Sequence, residues 1–152
     1  MKNYLGEEVG KKQFKCSEFG YYDSKGCEHV NWKQEDDTVD SDGFDKTYIT
    51  ENGNYKTDTI LPVGTLICRY GNERGRLTTD MDSDYNMLSL PYVKETVEYH
   101  VYKVINKGIK VQCHVLKGRV APMFDSPGGA VQYKHYQSIA KELDENKLEE
   151  VF

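Results

Sequence analysis

The sequence predicts an α+β fold: one compact domain on a central antiparallel or mixed β-sheet, with an irregular N-terminal layer and a short C-terminal helix. Three observations point there. A chain of 152 residues is the size of one domain that can bury a real core. Strand-like alternation with Gly and Pro punctuation starts near Thr59 and recurs to Gln132. Helical signals concentrate at the end, in "SIAKELDENKLEEVF".

Residues 1 to about 57 are rich in Gly, Asp, Lys and Tyr without sustained periodicity, which predicts turns and irregular structure. "TILPVGTLICRYG" then places Leu66, Cys68 and Tyr70 on one strand face and Thr65, Ile67 and Arg69 on the other. "TVEYHVYKVI" sets Val97, Tyr99 and Val101 against Glu98, His100 and Tyr102. "KVQCHVLKGRVAPMF" aligns Val111, Cys113 and Val115 and breaks at Pro122. "SPGGAVQYKHYQ" reads as a tight turn feeding a strand that carries Gln132. Ser138 can cap a final amphipathic helix, interrupted at "DEN" and ending in "KLEE". Repeats, low-complexity tracts and linkers are absent from the sequence.

Composition narrows the function. A formal net charge of -5 argues against non-specific binding to nucleic acid or to a membrane surface, so an anionic ligand needs local positive charge. Twelve tyrosines against one tryptophan suit aromatic packing with polar tips near a cleft. "MKNYLGEEVGKK" contains no apolar signal core, and no run is long enough for a helical membrane span. The expectation is a cytosolic chain, or a domain whose export signal lies elsewhere.

Metal motifs are weak. Cys16, Cys27 and His29 are too sparse for a zinc site, though a Cys16–Cys27 disulfide stays open. Cys68 and Cys113 fall in strand-like runs and read as buried small hydrophobes. An EF-hand loop needs Gly at its sixth place and Glu at its twelfth. Starting from Asp80, those places hold Tyr85 and Pro91; counting back from Gly43, the first and twelfth are Thr38 and Ile49. Both acidic stretches therefore read as solvated loops, and no metal is expected.

The sequence also lacks GxGxxG and Walker loops and any nucleophile elbow. His100, His114 and His135 lie in strand-like runs, where a histidine is usually packed or at the surface. Arg69 stands out for its company. It ends an apolar strand beside Tyr70, before a turn bracketed by Gly71 and Gly75 that carries Arg74 and Arg76. A guanidinium fork with nearby turn amides suits phosphate oxygens. The same fork at a strand end also serves purely structural roles.

"LPVGTLICRYGNERG", "LSLP", "YHVYKV", "GRVAPMFDSPGGAVQY" and a terminal "KLEE" occur in one order, after "DGF" at 42–44 and the lone Trp32. This series resembles the tuberculosis necrotizing toxin family, which includes fungal surface NAD glycohydrolases. The resemblance covers residues 32 to 150, so residues 1–31 are expected to form an irregular segment packed on a domain of residues 32–152. It implies hydrolysis of NAD+ to nicotinamide and ADP-ribose, with NAD+ (NADP+ as an alternative) as substrate and no cofactor. It further implies the toxic module of a larger secreted effector, acting in a target cell's cytosol and neutralised by a proteinaceous immunity partner.

Residue by residue, the resemblance places Arg69 at the catalytic arginine of the family's D-R-F-G motif and Tyr70 at its nicotinamide-pocket aromatic. Gln132 matches the glutamine after the Pro-Gly-Gly turn, and His100 a histidine important in the toxin branch. Gly71, Arg76, Gly128 and Gly129 are expected to line the substrate. Two positions depart from the pattern. Cys68 replaces the aspartate before the arginine, which removes a charge partner from that position. Leu88 replaces the arginine of R-x-L-P, so either Arg74, Arg76 or Arg119 supplies the charge or activity is weakened.

The chemistry is coherent without a pair of carboxylates. Ordinary glycosidases must protonate an alkoxide leaving group. Nicotinamide is attached as a pyridinium and departs neutral, so the protein has only to hold the dinucleotide, support an oxocarbenium-like transition state and admit water. Other readings are an ADP-ribosyltransferase acting on a macromolecular acceptor, and a decayed NAD-binding or interaction module.

Overall fold

The computed structural model describes residues 38–40, 42–50, 52–90, 98–107, 112–122 and 127–151. The expected segment 1–31, the Cys16–Cys27 pair, Trp32, Val97 and Val111 lie outside the described residues.

One seven-stranded sheet organises the chain. Its strands are β1 (Thr57–Ile60), β2 (Leu66–Tyr70), β3 (Leu77–Asp80), β4 (Tyr99–Val104), β5 (His114–Arg119), β6 (Val131–His135) and β7 (Leu148–Glu150). They lie in the order β1-β5-β6-β3-β2-β4-β7, and every pairing is antiparallel. One short helix, α1 (Ile139–Asp144), and a 3-10 turn at Tyr85–Leu88 complete the described regular structure. The fold is thus mostly sheet, with less helix than an α+β reading anticipates.

Residues directly opposite in an antiparallel pair share a face, so the register sorts every side chain. Ile67 pairs Tyr102, Val104 pairs Leu148, and Val115 pairs His135, which places these on one face. Together with Tyr133, Cys113 and Ile139 of α1 they form the main core. Each fully buried Ile, Val or Leu there contributes about 1.5–3 kcal/mol. The opposite face carries a row across five strands, Val101–Cys68–Thr79–Gln132–Gly118. The faces expected for β2, and for Tyr99 to Tyr102 in β4, are those observed.

That second face is covered by the irregular layer. Asp40 Oδ1 accepts the Asp42 and Phe44 N–H groups, both at 2.9 Å, which closes a tight turn helped by Gly43 at φ 86°. The turn lays Phe44 over Gly118, where an added Cβ would lie 2.6 Å from the ring. Gly118 therefore stays bare so that the layer can close on the sheet.

The C-terminus departs from expectation. Ser138 does cap α1, its side chain accepting the Lys141 N–H at 3.2 Å. "KLEE" is not helical, however. Asn146 takes a left-handed φ of 59°, and Leu148–Glu150 become β7 on the edge of β4. Leu148 is buried opposite Val104, a position in the core that a continued helix could not give it. The β3 strand was not foreseen either, because the flanking "NERGR" and "DMDSDY" dominate its local composition. Both sheet edges, β1 and β7, are short and carry acidic side chains, which discourages further strand pairing. Among the described residues no helix is long and apolar enough to cross a membrane.

Candidate active site

Arg69 and His100 are register partners on neighbouring strands and lie on the core face of the sheet. Tyr70 and Gln132 lie on the other face. The sheet thus brings Arg69 to His100 and Tyr70 to the face of Gln132, with the backbone between the two pairs.

Arg69 is only 6% exposed. Its Nε donates to the Asn72 carbonyl at 2.6 Å and its Nη1 to the Leu77 carbonyl at 2.7 Å. The fork therefore clasps both ends of the turn joining β2 to β3. Gly71, at φ 128°, makes the exit from β2 possible, and its N–H donates to Glu98 O at 2.9 Å. Cys68 points to the opposite face, toward the Thr79 hydroxyl at 3.2 Å, so its replacement of an acid takes nothing from Arg69's own face. Burial raises the Cys68 pKa despite hydrogen bonds from Thr79 and Tyr99, so it is a neutral thiol.

His100 sits between two carboxylates. Its Nε2 meets Glu98 Oε1 at 2.9 Å and its Nδ1 meets Glu150 Oε2 of β7. Partial burial pulls its pKa down, but the two carboxylates outweigh that and hold it above the ordinary histidine value. The ring stacks on Tyr102, centroids 5.8 Å apart. Engaged at both nitrogens, the imidazole ties β4 to β7.

On the other face, Tyr70 is walled by aromatics that motif reading did not single out. Tyr85 meets it edge-on and Tyr99 at a tilt, each with centroids 4.8 Å away. Burial, reinforced by the neighbouring Cys68, lifts the Tyr99 phenol to about 12, so it stays protonated. Leu88, 5% exposed, packs with Val120 and Ala130 beside Tyr70 and Tyr85. The position where the resemblance implies a second arginine is thus an apolar cluster. Arg76 reaches the Tyr136 carbonyl at 3.1 Å, and Arg119 the Gly129 carbonyl at 3.1 Å.

Gln132 is 4% exposed and donates its amide to the Asp42 carbonyl at 3.2 Å, while neighbouring Lys134 pairs with the Asp42 carboxylate at 2.8 Å. Asp42 is a contact that no strand pattern could disclose, 90 positions away in the chain. Gly128, at φ 70°, lets the chain pass so close to Val120 that an added Cβ would fall 2.6 Å from its carbonyl oxygen. Gly129, at φ 94°, is open on that side and donates to the same carbonyl at 2.8 Å.

Among the described residues, two clusters bring three potential metal-ligand atoms within 4.8 Å of one another: Cys113, His135 and Glu142, and Glu73, His100 and Glu150. In the first, His135 Nδ1 meets Glu142 Oε1 at 2.8 Å and its Nε2 meets Thr78 Oγ1 at 2.8 Å, so the buried ring is already hydrogen-bonded at both ends.

A conidial surface nicotinamide adenine dinucleotide glycohydrolase of Aspergillus fumigatus is 29% identical over 98 residues, which are 60% of this chain and 40% of that protein. The structure of tuberculosis necrotizing toxin complexed with its immunity factor matches with a TM-score of 0.54 at 15% identity. That match covers 74% of this chain and 65% of the toxin chain, and it supports the fold alone. The chain thus spans less than two thirds of either relative. The stretch from Ile60 to Val151, holding β2 to β7 with Arg69, Tyr70, His100 and Gln132, matches the family of that toxin over residues 60–151, and the chain belongs to the tuberculosis necrotizing toxin family.

Proposed function

We propose that this chain is an NAD+ glycohydrolase domain that cleaves the nicotinamide–ribose bond to give nicotinamide and ADP-ribose. The observation that carries the proposal is the family match over residues 60–151, which spans Gln132 and the aromatic cage of Tyr70 on one face of one sheet. Tyr70 packs against the departing nicotinamide ring. The Gln132 amide, held by Asp42, hydrogen-bonds the reacting ribose or the attacking water. Gly129 leaves room for the sugar-phosphate chain to pass the turn. Arg69 and His100 position this face from behind, one by fixing the β2–β3 turn and the other by joining β4 to β7. The leaving group is neutral, so no general acid is needed, and the barrier falls through orientation.

The fungal relative is a conidial surface enzyme, and the toxin is complexed with an immunity factor. By that analogy the chain acts as the toxic module of a secreted or surface-delivered effector, inside a recipient cell, and is neutralised by a dedicated protein inhibitor. A second reading is favoured by Leu88: with an apolar cluster in place of an arginine, the domain binds NAD+ without turnover. Nicotinamide release from NAD+ tests both, with Gln132→Ala alongside. Losing an orienting group costs about two orders of magnitude in rate, so release should nearly vanish in the variant. Binding without release by the folded parent would leave only the binding module.

A further inference from the structure

Three ligand-type side chains that the proposed reaction leaves unused converge beneath α1. Cys113 directly precedes β5, His135 ends β6 and Glu142 lies in α1, and none of them is more than 2% exposed. Cys113 is a free thiol. Its Sγ lies 3.6 Å from His135 Nδ1 and 3.1 Å from Glu142 Oε2, and that same Nδ1 is 2.8 Å from Glu142 Oε1. One sulfur, one nitrogen and one carboxylate thus face a common point. Sequence spacing could not disclose it, because successive members are 22 and 7 positions apart on separate elements.

The geometry is close to that of a tetrahedral metal. Zinc holds sulfur at about 2.3 Å and nitrogen or oxygen at about 2.0–2.2 Å, which sets neighbouring ligands roughly 3.3–3.6 Å apart. The sulfur–nitrogen edge already has that length, and the two carboxylate edges need to open by up to about half an ångström. Charge balances as well. A thiolate and a carboxylate together cancel a divalent cation, so the buried site carries no net charge. Lys147, whose charge reaches Cys113, is countered by Glu145 at 3.0 Å and held by Gln137 Oε1 at 2.7 Å. The other His135 nitrogen, Nε2, meets the buried Thr78 hydroxyl at 2.8 Å. A partner on the far side of the ring fixes its tautomer and aims Nδ1 at the metal. A cavity of about 170 Å³ adjoins the cluster, lined by buried Glu142 and by the stacked rings of His114 and exposed Tyr136. It offers an entry path and room for water as a fourth ligand.

We propose that Cys113, His135 and Glu142 bind a zinc ion through Sγ, Nδ1 and the carboxylate, with a water from the cavity completing the tetrahedron. On binding, the thiol gives up its proton to solvent, and His135 carries its proton on Nε2, donated to Thr78. The ion joins the start of β5 and the end of β6 to α1. It lies on the core face, opposite Tyr70 and Gln132, so its role is to hold α1 on the sheet.

The experiment strips the full chain with a chelator and adds Zn2+ to the parent, Cys113→Ser and Glu142→Gln. Both substitutions keep the size and hydrogen-bonding capacity of the buried group, and thermal unfolding of the metal-free proteins checks their fold. The parent should bind one equivalent, and its Tm should rise by about 5–10 °C at roughly a hundred times Kd. Affinity should fall at least about tenfold in each variant. X-ray absorption of the zinc-loaded parent needs no variant, and should read one sulfur at about 2.3 Å with lighter ligands at about 2.0–2.2 Å. A parent that binds no Zn2+, an unchanged Tm, equal affinity in all folded variants, or a shell without sulfur or with more than one overturns the proposal. None of these measurements reads nicotinamide release, so their outcome is independent of the glycohydrolase reading.

Discussion

Arg69→Ala distinguishes an arginine that holds the fold from one that holds substrate. Its two short hydrogen bonds, 2.6 Å to Asn72 O and 2.7 Å to Leu77 O, fasten the start and end of the β2–β3 turn. A hydrogen bond to a charged group is worth about 1.5–3 kcal/mol, and truncation leaves two largely buried carbonyls without this donor. With some water replacing the lost donors, the variant should be destabilised by about 3–5 kcal/mol. For a chain of this size that corresponds to roughly 6–20 °C in Tm. Arg69→Lys keeps the charge but not the fork, so it should recover only part of the loss. Urea or thermal unfolding followed by circular dichroism reads both. Native-like stability in Arg69→Ala, within about 0.5 kcal/mol, would refute the argument. If nicotinamide release were nonetheless lost, Arg69 would be a substrate contact.

Three other outcomes follow from the same geometry. Leu88→Arg, which restores the family residue, should not restore charge to the site. It forces a cation among Val120, Ala130 and Tyr70, so it should lower stability by about 3 kcal/mol or more, and a gain in activity would contradict this. The His100 clamp should make stability pH-dependent. Its folded pKa lies above the ordinary 6.5, so its contribution is complete below that value and is lost as pH rises through the folded pKa. His100→Gln should flatten the Tm profile as pH rises above the ordinary histidine value of 6.5, and an unaltered slope would mean the clamp carries no linkage. Gly118→Ala should cost about 1–3 kcal/mol by overpacking, because its Cβ meets both Phe44 and the Tyr55 backbone oxygen. Pairing it with Phe44→Leu should recover much of that loss, and no recovery would mean the Tyr55 backbone is the real obstacle.

The strand-forming segments and their faces were legible in the sequence because side chains alternate with a period of two whatever surrounds them. That alone separates Arg69 from Tyr70, and it fixes Cys68 as no neighbour of Arg69 on its own face. The Ser138 cap was legible for a local reason: backbone groups near in sequence must be satisfied there. Ordered motifs also pointed to the family. What could not be read was register and long-range closure. Which strand lies beside which decides that Arg69 meets His100, and that Tyr99 and Tyr85 wall Tyr70. "KLEE" carries helical propensity, yet the open edge of β4 and the core place for Leu148 outweigh a few tenths of a kcal/mol per residue. Gln132 finds Asp42 only because a turn far upstream folds over the sheet. Sequence alone determined which residues can share a face, since that is set by backbone geometry. Tertiary structure decided what each face meets, since that depends on contacts between segments far apart in the chain.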